Sequence, residues 1–406
     1  MAAVAPFRAL RPAPAAAARV AAVPYDVVNV EEAQALAAGN PLSFLHVSRA
    51  EIDMPRETNP HADAVYAKAA SNFQRLKAEA PFVTEDAPSL YVYRLRIGAT
   101  TQTGVVASYS LDEYDRDAIK KHERTRRDKE DDRTRHLLAL RAQTGPVFLI
   151  YPAGHAIDEL MEHASAARPP LYDFTATDGV QHTIWRVDTH TDRRLIEAFT
   201  AVPTMYIADG HHRAASASRA RQELRGATGL DGEWDTFLGV AFPASQVNVL
   251  PYNRIVTDLV SLTPDSLLHA LRQRFTVKKG PSSPERRGDV AMFLDGRWHT
   301  VELGTTASEA SPLDRLDVSR LQELVLSPLL GIHDVRTSKR IDFVGGVRGP
   351  GELEKLVRSG RAAVAFSLYP VSVDDLMAIA DAGGIMPPKS TWFEPKLRDG
   401  LLSHVI

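Results

Sequence analysis

Thr204-Met-Tyr-Ile-Ala-Asp-Gly-His-His-Arg-Ala-Ala-Ser-Ala-Ser-Arg-Ala220 is the stretch that decides how the chain is read. Met205, Tyr206 and Ile207 are apolar and suit a strand. Asp209-Gly210 is a turn pair. From His211 onward the alanines and arginines favour a helix that runs to about Arg225. Strand, tight turn and helix N-terminus are therefore expected in succession. Backbone N–H groups and the positive end of the helix dipole meet at such a place, which suits an anion. Gly210 allows close backbone approach, and His211, His212 and Arg213 add donor or cationic side chains in the first turn. Asp209 adds a carboxylate that can hold magnesium or take a proton from a hydroxyl. Asp-Gly alone is a common turn and Asp a good helix cap. The two histidines and the arginine directly behind it shift the reading toward a phosphate or nucleotide site.

The 406 residues can bury a large core and suggest two or three domains. With 24% charged and 44% hydrophobic residues, the composition is that of an ordinary globular protein. A net charge of −3 gives no global basic footprint for nucleic acid. The absence of cysteine excludes disulfides, thiol catalysis and cysteine-based metal centres, and fits a reducing cytoplasm. No stretch approaches the ~20 apolar residues of a membrane span. Prolines and arginines interrupt the alanine-rich start before it could act as a signal-peptide core.

N-terminal to the central stretch, residues 19–28 are apolar apart from a Pro24-Tyr25-Asp26 interruption, which places Tyr25 and Asp26 at a strand end beside a turn. They are either a packed tyrosine and a turn aspartate or part of the cleft that holds Asp209. A helix capped by Asn29 follows over 30–38, and a second is expected within 57–80. Residues 89–97 and 103–111 read as a hairpin turning at Gly98. Residues 115–141 carry the densest charge; most of that run is expected on a solvated helix or loop, with an arginine-rich loop closing over phosphates as the alternative. The apolar strand 146–151 ties it to the core.

C-terminal to the stretch, a strand is expected over 236–242, and Asn253 and Arg254 follow another strand end, facing either the cleft or solvent. Residues 289–294 and 297–303 form a hairpin with Asp295-Gly296 as its I′ turn. A buried strand over 362–368 and a helix capped by Ser372 come next. The prolines of 383–396 forbid a regular helix there. Lys389, Ser390, Thr391 and Lys396 are suitable phosphate donors, although the spacing is not that of a Walker A loop.

The Asp209-Gly-His-His-Arg213 box after an apolar strand resembles the nucleotide-binding box of the ParB/sulfiredoxin-like superfamily, which includes free-serine kinases. Val23-Pro-Tyr-Asp-Val-Val28, His122-Glu123 with Asp132-Arg133, Gly179-Val-Gln-His-Thr-Ile-Trp185, Met386-Pro-Pro-Lys-Ser-Thr391 and Pro395-Lys396 resemble more narrowly the domain-of-unknown-function 1015 family. The resemblance implies an α+β (mixed α/β) fold. Its nucleotide-binding core would span residues 1–256 with an insertion at about 57–200, and an α/β region over 257–406 would close on that core. It brings Tyr25, Asp26, His122, Glu123 and Arg133 into the cleft reading, because this superfamily builds its site from an N-terminal strand end and the later box.

Phosphoryl transfer needs placed cations, a divalent metal and a carboxylate to orient the nucleophile. The expected function is a kinase passing phosphate from ATP (or ADP), with Mg2+, to a free hydroxy amino acid; L-serine as that acceptor comes from the resemblance alone. Asp209 would hold the metal or act as base, Asp26 and His211 are further catalytic candidates, and Gly210, His212, Arg213, Lys389, Ser390, Thr391 and Lys396 would hold phosphates. Within the superfamily, sulfinic acid reduction needs a cysteine and falls away, and DNA partition is disfavoured by the negative charge. The alternative is a nucleotide-binding or hydrolysing switch with no phosphorylated acceptor. Partners are thus a nucleotide and a small molecule, with a homodimer allowed and no membrane.

Overall fold

The stretch 204–220 folds as the strand Met205–Asp209 and the helix His211–Thr228, joined by Gly210 at φ +93°. The computed structural model describes residues 3–152, 156–304 and 310–406. The architecture is mixed α+β, with sheets of nine, seven and four strands among the described residues. The chain divides into two units. Met1–Lys121, Thr125–Val247 and Pro395–Ile406 form the first; His122–Arg124 and Asn248–Glu394 form the second.

The nine-stranded sheet lies in the first unit. Its strands run in the order Ile119–Lys120, Met205–Asp209, Val147–Tyr151, Thr236–Pro243, Thr100–Ser110, Tyr91–Ile97, Gln181–Arg186 and Tyr172–Thr175, and Val4–Ala5 pairs off this path with Thr100–Ser110. Met205–Asp209 is antiparallel to Val147–Tyr151, which is parallel to Thr236–Pro243. All five side chains of Val147–Tyr151 are buried, as its uninterrupted apolar run predicts for a strand covered on both faces. The register of Met205–Asp209 shifts between Ile207 and Asp209. Such a bulge re-aims a side chain at a strand end, and here the side chain is that of Asp209. The helix behind it buries Ala214, Ala215, Ala217 and Ala220, small residues that let it lie close to the sheet.

A second apolar cluster in this unit gathers the N-terminal helices, including Val20, Phe44, Leu45, Phe73 and Leu76, with Leu140. The helix Val30–Ala37 carries the expected Asn29 cap as a reciprocal capping box with Glu32, and Asp63–Glu79 is the helix expected within 57–80. One local reading changes. The expected strand within 19–28 is instead the end of the helix Pro14–Val20 followed by a single bridge pair, Ala22 with Asp399; four alanines and a proline at the first turn carry the helix through Val20. Much of the arginine-rich run takes the helix side of its expectation, as Arg127–Leu140. It packs on His211–Thr228, with Arg219 bridging Asp131 at 2.5 Å.

The second unit holds the seven-stranded sheet, in the order Thr276–Lys279, Arg297–Glu302, Asp289–Leu294, Val364–Ser367, Val249–Val256 and Ile341–Gly345, with Thr391–Phe393 also pairing with Val249–Val256. The Asp295-Gly296 turn has positive φ at both positions, 47° and 74°, as a I′ hairpin requires. Ser372 caps the helix Val373–Asp381. Among the described residues no helix is long and apolar enough to cross a membrane.

Candidate nucleotide and acceptor site

Asp209 ends its strand with both carboxylate oxygens engaged. Oδ1 accepts the Gly210 N–H at 2.8 Å, and Oδ2 accepts Lys396 Nζ at 2.8 Å. Arg213, one helical turn on, approaches Oδ1 at 3.9 Å. Gly210 is required twice over: its φ of +93° is left-handed, and a Cβ there would stand 3.1 Å from Arg213 Nε and 3.3 Å from Val147 Cα. The box and Lys396 are therefore brought together in the first unit.

Arg213 is mostly covered, its side chain 12% exposed, and donates to the Pro146 carbonyl. Burial alone would favour the neutral guanidine, but Asp26, Asp209 and Asp399 face the group and hold its pKa above the ordinary value. Three carboxylates converging on one cation form the electrostatic centre of the site. Tyr25 and Asp26 lie in a turn closed by Val27 N–H on the Pro24 carbonyl at 3.2 Å; Tyr25 is buried and Asp26 exposed. The Arg133 guanidinium stacks 4.1 Å from the centre of the Tyr25 ring and donates to Asp132 at 2.7 and 2.8 Å. Asp132 also accepts Tyr66 OH at 2.8 Å and His61 Nδ1 at 3.1 Å. The Asp132-Arg133 pair thus anchors the Arg127–Leu140 helix to Tyr25.

A pocket opens between these groups, lined among others by Tyr25, Ser48, Arg133, His136, Thr144, Gly145, Arg213 and Asp399. Burial, then the nearby Arg133, push the His136 imidazole down to about 4, and its Nε2 meets the Val47 carbonyl at 3.0 Å, so it stands neutral. Burial pushes the Asp399 carboxyl up to about 7, with Arg213 opposing and Asp26 adding to the rise. Three buried polar atoms of this lining, Ser48 Oγ, Arg213 Nε and Asp399 Oδ1, have no hydrogen-bond partner among the described residues. Sequence reasoning passed over Ser48, Gly145 and Asp399. The signal for the last was weak: Asp399-Gly400 is one of five Asp-Gly pairs in the chain, distinguished only by its setting among Leu397, Leu401 and Leu402.

His211 is buried in the first turn of its helix. His212 Nε2 accepts the Arg126 N–H at 3.1 Å, which ties the start of the Arg127–Leu140 helix to the box.

The remaining candidates belong to the second unit. His122 is buried, its carbonyl accepting Met386 N–H at 2.8 Å, with Glu123 half-buried beside it. Asn253 Oδ1 accepts Leu368 N–H at 3.1 Å. Arg254 is fully buried and donates to the carbonyls of Tyr252, of Lys389 at 2.8 Å and of Pro388 at 3.3 Å; burial pushes its pKa down to about 9. Lys389 has φ 57° and sets its ammonium 5.5 Å from the Tyr252 ring centre. Ser390 Oγ donates to the Pro387 carbonyl at 2.6 Å, and Thr391 pairs with Pro251 in the sheet. Arg254 thus holds the 387–390 turn against its own strand, and Asn253 ties that strand to Leu368.

The family model described as "Protein of unknown function (DUF1015)" matches residues 4–319, so the Met386–Lys396 segment lies outside the matched span. No curated protein matches the chain. Solved structures do. A conserved hypothetical protein from Pyrococcus furiosus is similar at 14% identity and TM-score 0.37, covering 74% of this chain and 94% of its own. A free serine kinase in complex with AMP is similar at 13% identity and TM-score 0.37, covering 75% and 91%. SbnI with a C-terminal truncation, from Staphylococcus aureus, is similar at 10% identity and TM-score 0.37, covering 72% and 85%. With TM-scores below 0.5, none of these likenesses bears on function.

Proposed function

The chain belongs to the DUF1015 family, and from that premise we propose that its first unit is a small-molecule kinase, passing the terminal phosphate of ATP (or ADP) to the hydroxyl of a free amino acid, L-serine first among them. The observation that carries the reading is the convergence of Asp26, Asp209 and Asp399 on Arg213 beside the N-terminus of His211–Thr228. A fixed cation, a helix dipole and carboxylates in one place are what phosphoryl transfer asks of a protein. In the transfer, the acceptor hydroxyl oxygen bonds to the terminal phosphorus as the bond to the bridging oxygen breaks. The shortened nucleotide leaves, and the hydroxyl proton passes to a carboxylate, Asp209 or Asp26. Arg213 and Lys396 offset charge on the phosphates, and Tyr25 with Arg133 walls the pocket.

Asp26 and Asp209 would be the residues to hold magnesium, which takes hard oxygen ligands and needs only one or two carboxylates when phosphates and water supply the rest; Asp209 would then release Lys396. When bound, the ion would neutralise phosphate charge.

The test is direct. Purified protein, magnesium, ATP or ADP and a pool of free amino acids are incubated and scanned by mass spectrometry. Phosphoserine formed by the wild type and lost in Asp209→Asn supports the reading, and the same assay on Asp26→Asn assigns the base. Nucleotide consumed with no phosphorylated acceptor replaces it with the switch reading.

A further inference from the structure

Asp399 has no part in the transfer as written, yet it is the most constrained carboxylate of the pocket. Its backbone is held on both sides: its N–H donates to Ala22 at 2.9 Å and its carbonyl accepts Ala22 N–H at 3.2 Å, while Gly400 N–H donates to Thr144 at 2.9 Å. Its side chain lies against Gly145, where a Cβ would stand 2.6 Å from Oδ1. The residue is 3% exposed and Oδ1 finds no partner among the described residues. Native proteins seldom leave a buried acceptor unmatched unless something else supplies the donor.

The nearby cations already have carboxylates of their own: Arg133 lies on Asp132, Arg398 on Asp178, and Arg213 and Lys396 on Asp209. Of the other unmatched atoms of the lining, Ser48 Oγ can donate. An unmatched acceptor and an unmatched donor around a single pocket are the imprint of a zwitterion. We infer that the buried Asp399 carboxylate, set against Gly145, receives the ammonium of an amino-acid acceptor while Ser48 receives its carboxylate. The identity of the acceptor rests on the kinase reading; the recognition of an amine does not.

The experiment compares L-serine with 3-hydroxypropionate, which keeps the hydroxyl and carboxylate and lacks the ammonium, on the full chain. Wild type should favour L-serine. Asp399→Asn should raise KM for L-serine about tenfold or more, with the nucleotide Kd unchanged, and should erase the preference. A preference that survives in Asp399→Asn overturns the inference. Calorimetric binding of L-serine and of 2-aminoethanol separates this from the kinase reading: amine binding lost in the variant upholds Asp399 even where no phosphate is transferred, and amine binding equal in both proteins, or absent from wild type, overturns it. Should Asp399→Asn not fold, Gly145→Ala displaces the same oxygen and decides in the same way. The charged groups facing Asp399 are Arg213, Asp26, Arg133 and Arg398. Amine affinity should therefore climb as pH rises through about 7 in wild type and stay flat in the variant.

Discussion

Asp132 is a buried carboxylate that stays ionised because of what touches it. Burial alone would raise its pKa, but Arg133, Tyr66 and His61 outweigh burial and bring it down to about 2. A folded pKa below the unfolded one stabilises the protein above the unfolded value, and the gain disappears as pH falls through the folded one. The window is therefore pH 4 down to 2, and the contribution at neutral pH is about 2 kcal/mol. Asp132→Asn leaves Arg133 buried without its counter-charge and should cost about 2–4 kcal/mol at pH 7. Urea unfolding of both proteins at pH 7 and pH 3 checks this, since the gap between them should narrow at the lower pH. Gly210→Ala tests a different residue-scale constraint. Its methyl would meet Arg213 at 3.1 Å on a left-handed backbone. A loss of about 1–2 kcal/mol in stability is expected, with nucleotide binding weakened as Arg213 shifts; unchanged binding by calorimetry would show that Arg213 can move without consequence.

At the scale of elements, the helix Arg127–Leu140 begins without a side-chain cap from its own first residue, and His212 from the neighbouring helix holds the Arg126 amide instead. His212→Ala should lose about 1 kcal/mol, and His212→Gln, whose side-chain oxygen can accept the same bond, should recover part of it. Weakened nucleotide binding at unchanged stability would instead make His212 a ligand. Much of the local structure was legible because local chemistry dictates it: the Asn29 and Ser372 caps, the Asp295-Gly296 turn, and Gly210 between an apolar run and an alanine-rich one. The Arg127–Leu140 helix was harder to read, since acidic and basic residues alternate along it and its buried side includes Asp132, Thr134 and His136. Polar residues facing inward carry no apolar period, so only their long-range partners explain them. Arg254 misled for the same reason. A positive charge after a strand end reads as cleft or surface, whereas here three carbonyls take it into the core of the second unit.

At the scale of the whole chain, the first unit is assembled from segments far apart in sequence. Pro395–Ile406 returns to it after the second unit is complete. That tail supplies Lys396 to Asp209 and sets Asp399 in the pocket. It buries Leu397, Leu401 and Leu402, and Ser403–Val405 adds a strand between Ala9–Arg11 and Ala142–Gln143. No periodicity could announce this, because a three-residue strand has no pattern of its own and its partners lie at the other end of the chain. Full burial of a leucine contributes about 1.5–3 kcal/mol, so three of them approach the ~5–15 kcal/mol by which a domain is stable at all. A chain ending at Glu394 should therefore lose the cooperative unfolding of its first unit, followed by circular dichroism in urea, together with nucleotide binding. A peptide of residues 395–406 added in excess should restore both. The same peptide with Leu401→Ser and Leu402→Ser should restore neither, because it keeps Lys396 and Asp399 but not the apolar contacts that hold them in place. Restoration by that second peptide would mean that charge pairing, and not burial, seats the tail.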